Sequence, residues 1–298
     1  MSRRYQLTDA QWGLIEPLFP YHRISGRPTR EPRQILDGIL WILHTGAPWR
    51  DLPERFGPWN SVYNSFRRWQ STGRIDAILA ALQLHLNEEG LIDFDLWCID
   101  GTNVWASKDA AGARKKNTPV NQALGRSRGG FGSKIHLVTD GNGLPLGFCL
   151  SPGQSAEIRY ATSALTMARI PTSSGRYRTR PIHLAADKAY SSRALRAELR
   201  RRKIKAVIPQ RSNQQPATSN QQPATSNQQR HHKGRPLVLD KARYRRRNVV
   251  ERCFGWLKKF RRISTRYEKL AESFTAFIKQ AFCLRYLREL LVDREPAF

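Results

Sequence analysis

The first third of the chain alternates apolar and polar positions with the period of an α-helix. In "LTDAQWGLIEPLF", Trp12 follows Thr8 at helical spacing, and threonine is a preferred N-cap residue. The next apolar run, "PRQILDGILWILHTG", has Pro32 near its start and Gly46 at its end, an asymmetry typical of helices. These patterns predict a small all-α N-terminal domain over residues 1–90.

A third segment with helical period, "NSVYNSFRRWQSTG", places Phe66 and Trp69 on one face, with Arg67 and Arg68 beside that face. Helices joined by a turn, with arginines on the final helix, are typical of a helix-turn-helix that reads DNA. The region is nearly neutral, however, with 11 basic and 9 acidic side chains in residues 1–90. A helical dimerisation or support domain is therefore an equal alternative, and Arg67 and Arg68 are expected DNA contacts under the first interpretation only.

From residue 91 onward, the apolar positions take the period of a β-strand. "SKIHLVTDGNGLPLGFCLSPG" contains two strand-like runs around the DGNG sequence of residues 140–143, which is a strong hairpin signal. "LWCID", "PIHLAAD" and "IKAVIP" are three further short apolar runs, and helical segments lie between them. This order predicts an α/β domain over residues 91–298, in which helices flank a mixed five-stranded sheet.

A seven-residue repeat interrupts this domain. "SNQQPATSNQQPATSNQQ" occupies residues 212–229 and has no apolar face. Polar segments that contain proline bury too little apolar surface to fold. We therefore expect residues 212–236 to form a disordered low-complexity insertion.

The charge of the chain is concentrated in one region. The whole sequence carries 51 Lys and Arg against 24 Asp and Glu, a net charge of +27. Residues 176–262 hold 25 of the basic residues and 4 of the acidic ones, a net charge of +21. Because neutralised phosphates release condensed counterions, such a surface favours a polyanion as partner. Nucleic acid is the expected partner, and a basic surface that only maintains solubility is the alternative.

Several classes of protein are disfavoured. The cysteines at 98, 149, 253 and 283 are scattered and form no CxxC pair, which argues against a zinc site and a disulfide framework. No apolar run approaches the roughly 20 residues that span a bilayer. The N-terminus also lacks an apolar segment of the signal-peptide type. We therefore expect a soluble, intracellular protein that has no membrane partner.

Three acidic residues stand where a sheet could bring them together. Asp100 ends the strand-like run "LWCID", Asp187 ends "IHLAAD", and Glu251 lies in the helix-like segment "YRRRNVVERCFGWLKKFRR". Taken singly, each aspartate is a turn residue or helix cap, and Glu251 is a surface ion pair with Arg247 worth about 0.3–0.5 kcal/mol. Taken together, three carboxylates at one sheet edge would repel each other unless they held cations. Oxygen ligands of this kind suit Mg²⁺, and two such ions can catalyse phosphodiester chemistry.

The surroundings of Glu251 support the same interpretation. At about 100° per residue, the apolar positions of its helix fall on the opposite face; they are Val249, Cys253, Trp256, Leu257 and Phe260. Arg247 and Lys258 lie within about 40° of Glu251 on the same helical projection, and Tyr244 lies near the same line. This pattern predicts a carboxylate that is flanked by phosphate-binding cations on the solvent side.

The spacing Tyr244-x2-Arg247-x3-Glu251-x6-Lys258 resembles the Y-R-E-K signature of DDE transposases from bacterial insertion sequences. "DKARYRRRNVVERCFGWLKKFRRISTRYEKL", "IDGT" and "AADKAY" are similar to the family of insertion sequence five in particular, which is close to family four. The N-terminal "LTDAQWGLIEPL" and "GAPWRDLPERFGPWNSVYNSFRRW" also resemble the helical domain that these transposases carry. The likeness extends over almost the whole chain, and the SNQQPAT insertion is the departure from it.

The resemblance implies an RNase H-like catalytic domain with Asp100, Asp187 and Glu251 as both catalytic and metal-binding residues. It implies two Mg²⁺ ions, with Mn²⁺ as the alternative. The expected contacts to DNA in this domain are Tyr244, Arg247, Lys258, Arg261 and Arg262. The implied function is metal-dependent cleavage and strand transfer at the terminal inverted repeats of an insertion sequence. The implied setting is double-stranded DNA, both transposon ends and target, bound by a homodimer at the bacterial nucleoid in the cytoplasm.

Two other functions remain open on the residues alone. The insertion could have disabled the enzyme and left a repressor that binds the ends of the element. An RNase H-like nuclease without strand transfer would use the same three acids, and only its reaction product would distinguish it.

Overall fold

The computed structural model describes residues 5–19, 30–110, 122–127, 129–210 and 238–292. The expected low-complexity insertion at residues 212–236 lies outside these ranges. Within them, no helix combines the length and the apolar character that crossing a bilayer requires.

The N-terminal region is helical, as its periodicity predicts. Its four helices are α1 Asp9–Ile15, α2 Pro32–Thr45, α3 Trp59–Ser71 and α4 Arg74–Glu88. Thr8 caps α1 through a reciprocal pair of bonds, because its hydroxyl accepts from the Gln11 amide and the Gln11 side chain accepts from the Thr8 amide. Pro32 occupies the first position of α2, and Gly46 ends it with a φ of 69°, a left-handed conformation that glycine adopts without strain.

The second part of the chain is built on a mixed sheet. Its strands are β1 Leu96–Ala106, β2 Gly125–Ser127, β3 Gly130–Asp140, β4 Pro145–Pro152, β7 His183–Ala186, β8 Lys205–Val207 and β9 Thr265–Arg266, while β5 Ile170–Pro171 and β6 Tyr177–Arg178 form a separate hairpin. The five main strands lie in the order β4-β3-β1-β7-β8. The first three are antiparallel, and β7 and β8 run parallel to β1. This is the RNase H-like arrangement that the resemblance implies, and the short strands β2 and β9 enlarge the predicted five-stranded sheet to seven.

The predicted hairpin joins β3 to β4. Asp140 is fully buried at the end of β3, and its carboxylate accepts hydrogen bonds from the amides of Asp93, Asn142 and Leu144. The side chain therefore replaces backbone partners in the turn, as aspartate does in turns generally. Burial raises the pKa of Asp140 to about 6.

The remaining helices are α5 Ala161–Met167, α6 Arg193–Arg201, α7 Lys241–Arg246, α8 Asn248–Leu257, α9 Arg261–Ser264 and α10 Ala271–Val292. The long helix α10 connects the two parts of the chain. Phe277 stacks on Phe66 of α3 with 4.7 Å between ring centroids, and Tyr286 accepts a hydrogen bond from Gln83 of α4. Gln83 also donates to the Leu146 carbonyl in β4. The N-terminal helices and the sheet therefore share one hydrophobic core.

The segment around Glu251 departs from the single long helix that its pattern predicts. The structure divides this segment among three helices: Arg247 lies at the junction between α7 and α8, and residues 258–260 separate α8 from α9. The hydrogen bonds there tighten, since the Arg247 amide donates to the Tyr244 carbonyl and the Val250 amide donates to the Arg247 carbonyl. The predicted apolar face is nevertheless packed inward: Val249, Cys253, Leu257 and Phe260 are buried, and Trp256 is partly buried.

Candidate active site

The candidate site lies at an open stretch of the edge of β1. Parallel pairing with β7 covers residues 96–99 of this strand, and its last register pair is Ile99 with Ala186. Pairing with β9 begins only at Trp105. Among the residues that the structure describes, nothing pairs with residues 100–104 on this side. Asp100 and Asp187 are the first residues beyond the Ile99–Ala186 pair. Asp187 follows the end of β7, but β1 continues to Ala106 and Asp100 stays paired with Leu137 of β3, so the prediction that Asp100 ends its strand is wrong.

Asp100 is largely buried and hydrogen-bonded. Its Oδ1 accepts from the amide of Gly101 at 2.8 Å, and its Oδ2 accepts from Arg247 Nη1 at 3.0 Å. Burial raises the pKa of this carboxyl group, because desolvation disfavours the charged form. The negative charges of Glu157 and Glu251 raise the pKa further, whereas the Gly101 amide and Arg247 lower it.

Arg247 connects two of the three predicted acids. Its Nη1 donates to Asp100 on the strand, and its Nη2 donates to Glu251 in the first turn of α8. The Arg247 side chain is only 17% exposed, so the expected surface pair with Glu251 is in fact a three-residue bridge between helix and sheet. Burial lowers the pKa of Arg247, but the two carboxylates outweigh this effect and raise it.

Asp187 lies at the carboxyl end of β7. Its Oδ1 accepts from the amide of Lys188 at 2.5 Å, and the side chain thereby caps the short 3-10 turn Lys188–Tyr190. The turn directs Tyr190 inward, where this side chain is fully buried. Its hydroxyl has no hydrogen-bond partner within the described ranges. Burial raises the pKa of Tyr190, and the negative charges of Glu157, Asp100 and Asp187 raise it further.

Glu157 is a fourth acid at the site that the sequence does not single out. It follows β4 in a 3-10 turn and packs over Gly101, where an added Cβ would lie 3.0 Å from Glu157 Cγ. Its Oε1 forms an ion pair with Lys134 Nζ of β3 at 3.2 Å. Glu157 ends no apolar run and matches no spacing pattern, so only the tertiary structure brings it to Asp100.

The oxygen donors of this site fit a divalent cation in their chemistry. Asp100 and Glu251 already share one positive charge, the Arg247 guanidinium, and the buried hydroxyl of Tyr190 has no described partner. Carboxylate oxygens are the ligands that Mg²⁺ prefers. No group of three His, Cys, Asp or Glu side chains in the described part of the chain is close enough together to hold a metal ion as it stands. The site therefore has the type of oxygen ligands that a divalent cation requires, but the Arg247 guanidinium lies between the Asp100 and Glu251 carboxylates.

The predicted DNA contacts near Glu251 occupy three different environments. Tyr244 is partly buried, and the Arg247 guanidinium lies 5.9 Å from its ring centre. Lys258 follows the last residue of α8 with its side chain exposed, although partial burial lowers its pKa. Arg261 is exposed beside Gly46 at the end of α2.

Arg262 does not fit its predicted role. It is only 7% exposed, its Nε donates to Glu268 Oε1 at 2.5 Å, and its Nη1 donates to the Ala47 carbonyl at 3.0 Å. A guanidinium that is committed to a buried carboxylate and to the end of α2 is not available to a DNA phosphate. The basic run of the sequence does not distinguish Arg262 from Arg261, because their separation into buried and exposed sites depends on packing against α2.

Arg67 and Arg68 are exposed on α3, whose opposite face packs on α10. Their role as DNA contacts stays a prediction.

The start of β1 is bound by arginines through ion pairs that no local pattern of the sequence predicts. There, Arg243 pairs with Asp95 and Asp240, and Arg246 pairs with Asp93. These pairs fix α7 against the sheet, and α7 in turn positions Arg247.

Two protein families match this chain. A family described as a transposase DDE domain matches residues 93–285, and one described as a putative transposase of the IS4/5 family matches residues 7–79. The first match alone covers well over half of the sequence. The chain belongs to the DDE transposases.

Individual relatives agree with this assignment. The transposase is 34% identical over 157 residues to the putative transposase for insertion sequence element IS402 of Burkholderia cepacia, which covers 51% of this chain and 62% of that protein. It is 38% identical over 110 residues to the uncharacterized protein y4sN of Sinorhizobium fredii, which covers 37% of this chain and 83% of that protein. Among solved structures, the chain has a weak likeness to the Mos1 strand transfer complex, at 13% identity over 61% of this chain and 60% of that chain, with a TM-score of 0.24.

The family assignment confirms the resemblance and the function that it implies. DDE transposases cleave DNA and transfer strands, and they generally use divalent metal ions. The transposase is therefore an enzyme of DNA transposition, with DNA as its partner.

Proposed function

We propose that Asp100, Asp187 and Glu251 are the catalytic carboxylates of this transposase. The observation that carries the proposal is the Arg247 bridge, in which a strand acid and a helix acid converge on one cation. Asp187 follows the neighbouring strand at the same register position as Asp100. Asp100 and Glu251 come from separate segments of the sequence, and their shared cation is a specific reason for their convergence.

The protein groups have distinct parts in the proposed reaction. Asp100, Asp187 and Glu251 would hold two Mg²⁺ ions, which lower the pKa of the attacking hydroxyl and stabilise charge on the attacked phosphate. Asp100 is held in place by the Gly101 amide, and Glu157 and Lys134 pack beside it at the strand edge. Burial of these groups excludes water and strengthens their electrostatic interaction with a phosphodiester.

The proposed DNA contacts at the reacting end are Tyr244, Arg247, Lys258 and Arg261. Lys258 and Arg261 are exposed and near the carboxyl end of α8, so their charges can reach a backbone phosphate. Arg247 can leave Asp100 and Glu251 for a phosphate once a metal ion neutralises the two carboxylates. DNA binding and metal binding would then reinforce each other at one site.

The wider assignment follows from the same function. We propose that the transposase recognises the terminal inverted repeats of its own element as a homodimer on DNA, at the bacterial nucleoid. The helices of residues 1–90 would supply a second DNA contact through Arg67 and Arg68. The residues 91–298 would form the catalytic domain, and both parts depend on α10 for their packing.

One cleavage assay tests the proposal. Labelled DNA that carries the end of the element is incubated with the protein and either Mg²⁺ or EDTA, beside Asp100→Asn and Glu251→Gln. Nicking at the end that requires Mg²⁺ and is absent from both variants is the expected result. Glu289→Gln, which removes a carboxylate from α10, is the matched control and should cleave normally. Normal nicking by both site variants would refute the triad.

A second function, an end-binding repressor, is favoured by one observation. Arg247 pairs with both Asp100 and Glu251 without any metal, so each of these two carboxylates already has a cationic partner. A protein that remained in this state would bind DNA and leave it intact. Equal, metal-independent binding by the parent protein and both variants, without nicking in any of them, would establish the repressor.

A further inference from the structure

A second basic surface lies apart from the candidate active site. The β5–β6 hairpin and the segment after it carry exposed arginines and contain no acidic residue between positions 169 and 182. The exposed cations of this part are Arg169, Arg176, Arg178 and Arg180. The hairpin also exposes Tyr177, which is 49% accessible.

The end of α6 and the start of β8 add more cations to the same place. Residues 200–205 contain five basic side chains and no acid, and the exposed ones are Arg200, Arg201, Lys203 and Lys205. Arg202 Nη2 donates to the Thr179 carbonyl at 2.6 Å, and the Lys205 amide donates to the Ile182 carbonyl at 2.8 Å. These two bonds join both segments into one surface, which we term the hairpin surface (residues 169–182 and 200–205).

Little negative charge offsets this surface. Glu198 is the nearest acid along α6, and Arg201 binds it with two hydrogen bonds of 2.9 and 2.7 Å. Asp95, at the adjacent start of β1, is bound by Arg243 and by His183. Glu88 and Glu89 lie at the end of α4, where Asn87 donates to the Pro171 carbonyl of β5, and Glu89 pairs with His85. Within the described ranges, the other cations of the hairpin surface form no ion pair with an acid, so they can attract an external anion.

The guanidinium groups are arranged by aromatic rings rather than by acids. Arg169 lies 4.3 Å from the ring centre of Tyr177, and Arg178 lies 3.4 Å from that of Phe94. Stacking on a ring orients a guanidinium and leaves its charge unneutralised. Met167 and Ile182, which are 55% and 52% accessible, give the same surface an apolar component.

The hairpin surface and the candidate site lie at opposite ends of the parallel strands. His183 and Lys205 are the first residues of β7 and β8 and are register partners, whereas Asp187 follows the last residue of β7. At about 3.3 Å per residue, the length of β7 separates the two ends by roughly 13 Å. The residues of the hairpin surface are therefore separate from those of the candidate site.

We propose that the hairpin surface binds the phosphate backbone of a duplex DNA segment outside the catalytic cleft. Its exposed cations, low acidic content and ring-stacked guanidiniums match a sequence-independent phosphate contact. This proposal goes beyond the catalytic assignment and does not depend on the three carboxylates. It gives the transposase a second DNA contact, at which flanking or target DNA is held while an end reacts.

The test measures how DNA binding depends on salt. Binding of a random-sequence duplex is titrated in EDTA at several salt concentrations, so that no cleavage occurs. The double variant Arg176→Gln/Lys205→Gln removes one cation from each segment of the hairpin surface. Because each phosphate contact contributes about 0.9 to the slope of log K against log salt, the slope is expected to fall in magnitude by about 1.8.

A matched control separates a local contact from a change in total charge. Lys269→Gln/Arg288→Gln removes two exposed cations elsewhere and is expected to leave the slope unchanged. Equal slopes for the parent and the double variant, or an equal drop in both pairs, would overturn the proposal. Thermal unfolding verifies that both double variants are folded. Each single variant, Arg176→Gln or Lys205→Gln, is expected to lower the magnitude of the salt slope by about 0.9.

The same titration in a Glu251→Gln background distinguishes this proposal from the catalytic one. A slope that falls by the same amount in that background supports the hairpin surface even if the triad is wrong. An unchanged slope in both backgrounds rejects the hairpin surface and leaves the triad untouched.

Discussion

Two arginines of one segment each pair with an aspartate on or near β1, and the pKa values of the two aspartates shift in opposite directions. At the start of β1, Arg243 Nε donates to Asp95 Oδ2 at 3.2 Å; further along, Arg247 Nη1 donates to Asp100 Oδ2 at 3.0 Å. The pKa of Asp95 is lowered: burial is the largest single effect and raises it, but the hydrogen bonds and charges of Arg243 and His183 together outweigh burial. The pKa of Asp100 is raised, and burial is the main cause.

The difference lies in the surroundings rather than in the pair. Asp95 is 38% exposed and has two cationic or potentially cationic neighbours, whereas Asp100 is 18% exposed and shares its single arginine with Glu251. A strand aspartate with its own cations anchors a helix. A buried aspartate with too little positive charge is a place where an additional cation binds favourably.

The largest expected effect separates the two aspartates by activity. Asp100→Asn removes a proposed direct metal ligand. Its rate of end cleavage is therefore expected to fall by well over the ~100-fold that is typical when a group supporting a metal ligand is lost. Asp95→Asn is expected to retain cleavage within a few fold. Initial rates of nicking in Mg²⁺ measure both. If both variants lost cleavage activity to a similar extent, the two aspartates would differ in no catalytic role, and the loss would reflect disturbed folding.

The next largest expected effect is on the free energy of unfolding, at Arg262 of the same basic segment. Arg262→Gln is expected to destabilise the fold by about 3–5 kcal/mol, since it leaves Glu268 buried without its cation. Arg261→Gln removes an exposed charge and is expected to change stability by less than about 0.5 kcal/mol. Urea denaturation measures both variants. A small effect at Arg262 would return it to the set of DNA contacts.

The pH dependence of the free energy of unfolding extends the comparison to Asp140, for which the structure describes no ion pair with an arginine. The folded pKa of Asp140 is about 6, above its unfolded value, so the protonated form favours folding. Its contribution is fully present below pH ~4 and is lost as the pH rises to about 6, which amounts to at most about 3 kcal/mol. Asp140→Asn is expected to flatten the fall in stability across this window. An unchanged profile would assign the pH dependence to other groups.

The smallest expected effect concerns metal binding without DNA. Arg247→Gln removes the cation that competes for Asp100 and Glu251, so Mn²⁺ should bind about tenfold more tightly, near the lower end of the ~1–4 kcal/mol for a unit charge at 4 Å. Arg243→Gln is expected to leave Mn²⁺ affinity unchanged, because its partner Asp95 is outside the proposed site. Calorimetric titration of the free protein measures this affinity. Weaker binding in Arg247→Gln would mean that Arg247 organises the acids instead of competing for them.

Much of the site was accessible from local pattern. The hairpin at residues 140–143, the strand that ends just before Asp187, and the inward face of Val249 and Leu257 all follow periodicity that the structure reproduces. Periodicity succeeds there because burial on a sheet or helix selects side chains at a fixed repeat. The predicted end of the first strand at Asp100 is wrong, because β1 continues to Ala106 through its pairing with β3. Periodicity also failed for the helix of residues 244–262, since the break at Arg247 arises where α7 is fixed to Asp93 and Asp95 by ion pairs.

The sequence by itself determined the class of the protein: the order of strands and helices, the concentrated positive charge and the Tyr244-Arg247-Glu251-Lys258 spacing are all local or compositional properties. Only the tertiary structure decided which charges meet. It buried Arg262 and left Arg261 exposed, and it brought Glu157 against Gly101. It also placed one arginine between Asp100 and Glu251. The physical reason is that desolvation and ion pairing depend on distances between residues far apart in sequence, and no local pattern contains those distances.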